Sequence, residues 1–290
     1  MKFEIIIHDD DSTDSTIGIL KGYQKKYPSI IKLILQTTNQ FSINVNKPIK
    51  NTIAIAKGEY LAVCEGDDFW TSENKLRLQV NKLNLHKSMD LCFHSSVQIS
   101  ENNMRPGPKY TRGQKITCAE LIVSDFHLCA SASMMFRKSV FADLSFLNGM
   151  SVGDFYLRIV AAQNGAIYIN KEMCVYRFNS QGSWSESNHN DAQKETSFIS
   201  SFYNELKVFD VYLNLKYLEE FAILRLRLLT GFIRKENIPV SYRANIYNLD
   251  ERLPIKVKVL WYLIYSRSFY PRLHLFGRYI KYFFKKREVA

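Results

Sequence analysis

The chain has 290 residues, enough to bury a substantial core in one large domain or a domain with an appendage. Its hydrophobic content of 46% and charged content of 23% are ordinary for a globular protein and exclude a disordered or fibrous one. A formal net charge of +11 is unevenly placed: from Leu253 to Ala290 nine Lys and Arg stand against Glu288 alone, so the basic character is mostly a C-terminal property.

In chain order, Phe3–His8 reads as a strand, its Ile5–Ile7 run continuous enough to be buried on both faces. Asp9-Asp10-Asp11-Ser12-Thr13-Asp14 follows, rich in good N-cap residues, and then a helical stripe of Ile17, Leu20, Tyr23 and Tyr27 up to Pro28. Acids at a strand-to-helix turn occupy the place where open α/β sheets bind ligands. Ile31–Leu35 is a second strand, Asn39–Pro48 a loop and Ile49–Ala56 a short helix.

The Lys57-Gly58-Glu59 turn leads into an apolar strand, Tyr60–Cys64, which ends in Glu65-Gly66-Asp67-Asp68. Three carboxylates within four residues repel one another and lose hydration. A hard divalent cation bridging to phosphate oxygens offsets that cost, since Mg²⁺ or Mn²⁺ takes oxygen ligands and usually keeps only one or two protein carboxylates. A solvated acidic turn before a helix, capped near Asp68 or Ser72, is the alternative on these residues alone.

Asn74–His86 has the pattern of a helix with Leu76, Val80 and Leu83 on one face, and Leu91–Ile99 that of a strand. The polar stretch Glu101–Gly113, with Pro106-Gly107-Pro108, reads as a loop and a mobile flap. Cys118–Ser124 is a short helix and Ser131–Arg137 a strand. Gly153-Asp154 opens an amphipathic helix, and Ala166–Ile169 and Met173–Phe178 are strands. Beyond about Asn190 the pattern is helical almost throughout. We therefore expect an α/β domain over 1–189 and a basic, aromatic helical extension over 190–290. Five Cys without a CxxC pair argue for buried free thiols in a reducing compartment rather than disulfides or a zinc site. Met1-Lys2 leading straight into a strand argues against a signal peptide, and no charge-free apolar run reaches the length of a membrane span.

Several of these segments together resemble family 2 glycosyltransferases of the GT-A fold. Phe3–Thr16 looks like their second strand and Asp-Asp-Gly-Ser-x-Asp turn. Lys57-Gly58-Glu59-Tyr60 through Glu65-Gly66-Asp67-Asp68-Phe69-Trp70 resembles their metal-binding strand, with Glu65 where the first Asp stands. Gly153-Asp154 falls where they place a catalytic carboxylate, and Tyr176-Arg177-Phe178-Asn179-Ser180 is similar to their Tyr-Arg-x-His segment. The resemblance spans residues 3–185 and implies a mostly parallel sheet flanked by helices.

It also implies roles. Asp9 or Asp10 binds the uracil or ribose of a nucleotide-sugar donor, Asp67 ligates Mn²⁺ or Mg²⁺ on the diphosphate, and Glu65 and Asp68 assist at the same place. Asp154 is the general base for inverting attack by a glycan or lipid-linked hydroxyl, in a hexosyltransferase of polysaccharide biosynthesis. Trp184 stacks on a sugar or base; an ordinary loop aromatic and, for Asp154, a helix-cap carboxylate are the plain alternatives. His8 and His94 are expected to pack on sheet ends.

The resemblance starts at the family's second strand. The expectation is an open slot between Phe3–His8 and Tyr60–Cys64, marginal stability, and weak or absent activity. A catalytically inactive, truncated relative that binds a nucleotide or a partner protein is thus a second reading. Acids lining the site argue against a nucleic-acid partner. The basic, aromatic tail suits peripheral contact with anionic lipid, which places the protein in the cytoplasm or on the inner face of the plasma membrane; a helical cap packed on the domain is the alternative for that tail.

Overall fold

The computed structural model describes residues 2–100, 103–124, 126–178 and 192–233. The expected strand–helix–strand start is present. Strand β1 (Ile5–Asp9) pairs in parallel with β2 (Ile31–Leu35), Ile5 opposite Ile31 and Asp9 opposite Leu35. Helix α1 (Thr16–Lys26) connects them and ends in Lys25 and Lys26, cations at the negative end of its dipole. Short α2 (Gln40–Ile43) follows where a loop was expected. Next is α3 (Lys47–Ile55), with Pro48 in its first turn, where a missing N–H costs nothing.

Strand β3 (Tyr60–Ala62) does not join the β1–β2 ladder. It is the edge of a five-stranded sheet. Its neighbour is β9 (Met135–Arg137), followed by β5 (Leu91–His94), β10 (Ala166–Ile169) and β8 (Lys115–Ile116). β5 and β10 run parallel, whereas β9 is antiparallel to both β3 and β5. A further sheet has β4 (Phe69–Trp70), β11 (Cys174–Arg177), β6 (Val97–Ser100) and β7 (Asn103–Pro106) in that order. The α/β class holds, but the sheets are mixed rather than mostly parallel: β9 reverses direction inside the central sheet, and β6 and β7 turn back on each other as a hairpin.

Two local expectations change as well. Within the polar stretch read as a loop, Asn103–Pro106 is β7, its backbone paired to β6 although all four residues are exposed. Of the strand expected at Ser131–Arg137, only the last three residues form a strand. Ser131–Ser133 is a 3₁₀ turn, stabilised by the Ser133 hydroxyl donating to Ala130 O at 2.6 Å. Short hydroxyl side chains compete for backbone groups in this way and favour turns over ladders.

The core is centred on β5, whose Leu91, Cys92 and Phe93 are fully buried. Helix α5 (Cys118–Val123) enters it behind a reciprocal cap of Thr117 and Glu120. Helix α6 (Gly153–Ala161) contributes Phe155, Tyr156 and Ile159. The C-terminal helices α7 (Ala192–Tyr212) and α8 (Leu218–Ile233) pack Phe202, Leu206, Phe209 and Phe221 into the same cluster. Helix α4 (Lys75–Leu85) lies over the opposite cluster of Leu83, Cys92, Met135 and Ile167. Cys92, Cys118, Cys129 and Cys174 are buried free thiols, and Cys64 is exposed. The 189/190 boundary, Trp184 and the tail beyond residue 233 lie outside the described residues. Among the described residues no helix is long and apolar enough to cross a membrane.

The β1–β2 layer is joined to the rest by side chains. Glu4 accepts from the backbone N–H groups of Lys57 (2.6 Å) and Gly58 (3.1 Å) and pairs with Lys32. His8 Nε2 lies 3.2 Å from Gln36 Nε2 and 3.4 Å from Asn51 Nδ2. Helix α1 buries none of its residues, and Ile19 and Tyr23 are each 55% exposed. Fewer buried contacts mean a lower local opening free energy. Native-state hydrogen exchange should therefore find β1 amides exchanging faster than those of β5 by about tenfold or more; equal protection would contradict this.

Candidate active site

The acidic turn after β3 is tied down at each carboxylate or its neighbour. Asp68 N donates to Glu65 O at 3.1 Å, closing the turn. The Asp68 carboxylate, 8% exposed, accepts from the backbone N–H of Arg177 on β11 at 2.9 Å, so the turn is hung from the further sheet. Its other oxygen, Oδ2, is buried with no hydrogen-bond partner. Burial, with repulsion from Asp67 and against the Arg177 N–H, pushes the Asp68 carboxyl up to about 6.

Asp154 stands in the first turn of α6. Its Oδ2 accepts from the Ser131 hydroxyl at 2.9 Å and its Oδ1 from Phe155 N at 2.8 Å. The helix therefore delivers this carboxylate to the acidic turn. Desolvation, followed by repulsion from Asp154, Asp68 and Asp67, pushes the Glu65 carboxyl up to about 8, against a downward pull from the Ser131 hydroxyl. Glu65 keeps exposed surface, so water reaches part of its carboxylate. The Tyr176 phenol on β11 feels the same four acids; burial first, then Glu65, Asp154, Asp68 and Asp67, holds it above its ordinary range.

Glu65, Asp67, Asp68 and Asp154 are thus brought together. Asp9 and Asp10 are on the β1–β2 layer. Asp9, 4% exposed, accepts from Ser12 N (3.2 Å) and Ser12 Oγ (2.6 Å). Asp10 accepts from the N–H groups of Gln40 and Phe41, both at 2.8 Å, at the start of α2. Each oxygen retains a second lone pair, so these bonds orient the carboxylates without exhausting them. His94 is fully buried, its Nδ1 2.8 Å from Ser95 O and its ring pushed down to about 4 by burial, as befits a packing residue.

The donor set suits a hard cation: all four acids offer oxygen, and the buried Asp68 Oδ2 lacks a partner. Among the described residues no three His, Cys, Asp or Glu side chains form a ready-made cage. An ion held here would keep only one or two of these carboxylates.

Sequence reading missed the supports behind this cluster. Trp70 Nε1 donates to Ala132 O at 3.0 Å, fastening β4 to the turn that carries Ser131. The Lys75 ammonium lies 4.3 Å from the centre of the Trp70 ring and donates to Gln79 Oε1 at 2.9 Å. Gln79 Nε2 in turn donates to Cys92 O (3.0 Å) and Ser133 O (2.8 Å). Lys75 and Gln79 are both fully buried. Their four-residue spacing after Trp70 was the available signal.

The fold is that of GT-A transferases. Staphylococcus aureus TarS (residues 1–349, in complex with UDP) superposes with a TM-score of 0.56 at 17% identity, covering 83% of this chain and 68% of that one. The family described as Glycosyl transferase family 2 matches residues 1–145, and the chain belongs to it. That match ends before Asp154. The chain is also 35% identical over 194 residues to the uncharacterised protein Rv1520 of Mycobacterium tuberculosis, covering 66% of this chain and 54% of that protein. It is 44% identical over 75 residues to the poly(ribitol-phosphate) beta-glucosyltransferase of Bacillus spizizenii, covering 26% of this chain and 11% of the other. The chain spans about half the length of the Mycobacterium relatives it matches.

Burial lowers the Lys75 ammonium to about 8. Between pH 8 and the unfolded-state value near 10.5, the unfolded chain binds one more proton at this site, so stability rises with pH there. Lys75→Met should remove that increment, on the order of 3 kcal/mol. Denaturant titrations of both proteins across this range check it, and parallel pH dependences would refute it.

Proposed function

We propose that this chain transfers a sugar from a nucleotide diphosphate, a UDP-sugar, to a hydroxyl of a glycan or lipid-linked acceptor, with inversion and with dependence on Mn²⁺ or Mg²⁺. The observation that carries this is the meeting of Asp154, at the start of α6, with Glu65, Asp67 and Asp68 at the end of β3 in a family 2 chain. UDP in the TarS structure supports the donor class, and the name of the Bacillus relative supports hexosyl transfer to a polymer.

In this reading the acceptor oxygen bonds to the anomeric carbon, and the carbon–oxygen bond to the diphosphate breaks with its electron pair on the diphosphate. Asp154 takes the acceptor proton. Ser131 keeps the Asp154 carboxylate turned toward the acidic cluster. Asp67, with Glu65 and Asp68 beside it, would hold the cation, and Asp9 or Asp10 would hold the uracil or ribose. A bound Mn²⁺ or Mg²⁺ supplies positive charge against the diphosphate leaving group. The basic, aromatic residues 253–287 support peripheral contact with anionic lipid on the inner membrane face.

Two variants test the assignment. Asp67→Asn should abolish the Mn²⁺-dependent part of UDP affinity in calorimetry while the fold persists; unchanged metal-dependent affinity rejects Asp67 as ligand. Asp154→Asn should lower turnover by about 10²–10⁴-fold with donor affinity retained. Collapse of donor binding together with the fold would instead mark Asp154 as a structural cap. Nucleotide binding without turnover on any donor in the wild-type chain would favour the inactive, nucleotide-binding reading.

A further inference from the structure

Ser131 fixes the carboxylate of Asp154, but α6 has no side-chain cap: Val152, the residue before it, makes none. The start of the helix depends on the segment 147–153 that leads into it, and two distant parts of the chain grip that segment. From the N-terminal part comes Asn46, 1% exposed, whose Nδ2 donates to Leu147 O at 2.9 Å and Met150 O at 2.6 Å. Its Oδ1 lies directly against Gly153, where an added Cβ would stand 2.2 Å away. Gly153 is the neighbour of Asp154, so the Asn46 side chain sets how closely the helix start approaches the N-terminal part.

From α7 comes Glu205, 7% exposed. Its Oε2 accepts from Ser151 N (2.7 Å), Ser151 Oγ (2.9 Å) and Tyr156 OH (3.0 Å), and its Oε1 from Ser201 Oγ (2.9 Å). One carboxylate thus holds both the segment before α6 and the first turn of α6. Buried networks of this kind are rigid when every member is satisfied, and loosen when one acceptor is removed.

We propose that Asn46 and Glu205 are positioning residues for Asp154, clamping 147–153 so that the carboxylate meets the acidic turn. This rests on the reading of Asp154 as the base. It also makes α7, which lies beyond the residues matched to the family, part of the catalytic arrangement. A shift of about 1 Å in a reacting group costs on the order of 10²-fold in rate, so the clamp acts on turnover rather than on donor binding.

The test uses the full chain with Mn²⁺ and two probes, UDP-glucose and UDP-N-acetylglucosamine, scored by hydrolysis, with UDP affinity by calorimetry. Asn46→Ala and Glu205→Ala should each lower kcat by about tenfold or more, with KM and UDP affinity within about twofold. Glu205→Gln should recover most of the loss, because its amide oxygen still accepts from Ser151 and its NH₂ donates to the Ser201 hydroxyl. Combined with Asp154→Asn, neither alanine variant should cost anything more, since no base is left to position. Losses that add to that of Asp154→Asn, or that appear in KM, overturn the proposal.

Hydrogen exchange gives a readout independent of turnover and of the base. The amides of Leu157 and Arg158, the first in α6 with acceptors inside the helix, should exchange about tenfold faster or more in both alanine variants, with Leu91–His94 unchanged. Unchanged exchange at α6 overturns the clamp. An Asp154→Asn protein of full activity would remove the base reading, and the exchange result would then decide alone whether Asn46 and Glu205 set the helix start.

Discussion

Crowding of negative charge is the constraint on which the arrangement depends. Glu65, Asp67, Asp68 and Asp154 lie close together, and burial, with repulsion from neighbouring acids added to it, pushes Glu65 and Asp68 up. Like charges drift apart unless the backbone beneath them is held. The restraint here comes from neutral donors: the Arg177 N–H on Asp68, the Ser131 hydroxyl on Asp154, and the Trp70 indole on Ala132. They fix direction without cancelling charge, so the cluster retains its attraction for a cation.

The 3₁₀ turn at Ser131–Ser133 is where these restraints converge. Trp70 reaches it from the strand after the acidic turn, Gln79 from α4 and Asp154 from α6. Behind it, Lys75 supports both the Trp70 ring and Gln79. A buried ammonium with a single side-chain hydrogen bond is costly. The cost accompanies a role that an apolar residue could not fill, since Gln79 Oε1 needs a donor and the face of the indole favours a cation.

The sequence was informative where chemistry and local propensity coincide. Asp67, Asp68 and Asp154 were legible because a strand end and a helix start are both short-range features, and α5 because its Thr117–Glu120 cap is encoded within four residues. Ser131 was read as part of a strand, since small residues leading into Met135–Arg137 look extended until their hydroxyl bonds are seen. Asn46 and Glu205 were invisible: Asn46 acts on Met150, 104 residues further on, and Glu205 on Ser151, 54 residues back, through contacts that no local pattern records. The mixed sheet was missed for the same reason. Strand character is local, but the direction of β9 between β3 and β5 is decided by where the chain returns.

The separation of β1 from β3 has a mechanical meaning. Asp9 and Asp10 ride on one sheet and Asp67 on another, and the connection between them is Glu4, His8 and α3 rather than a ladder of backbone bonds. A ladder would fix their spacing as rigidly as a strand's own repeat, whereas side-chain joints leave it compliant. A ligand long enough to touch both acid groups therefore serves as a strut. For such a ligand, part of the binding free energy would go into stiffening the N-terminal layer, and any change that stiffened that layer beforehand would be returned as tighter binding.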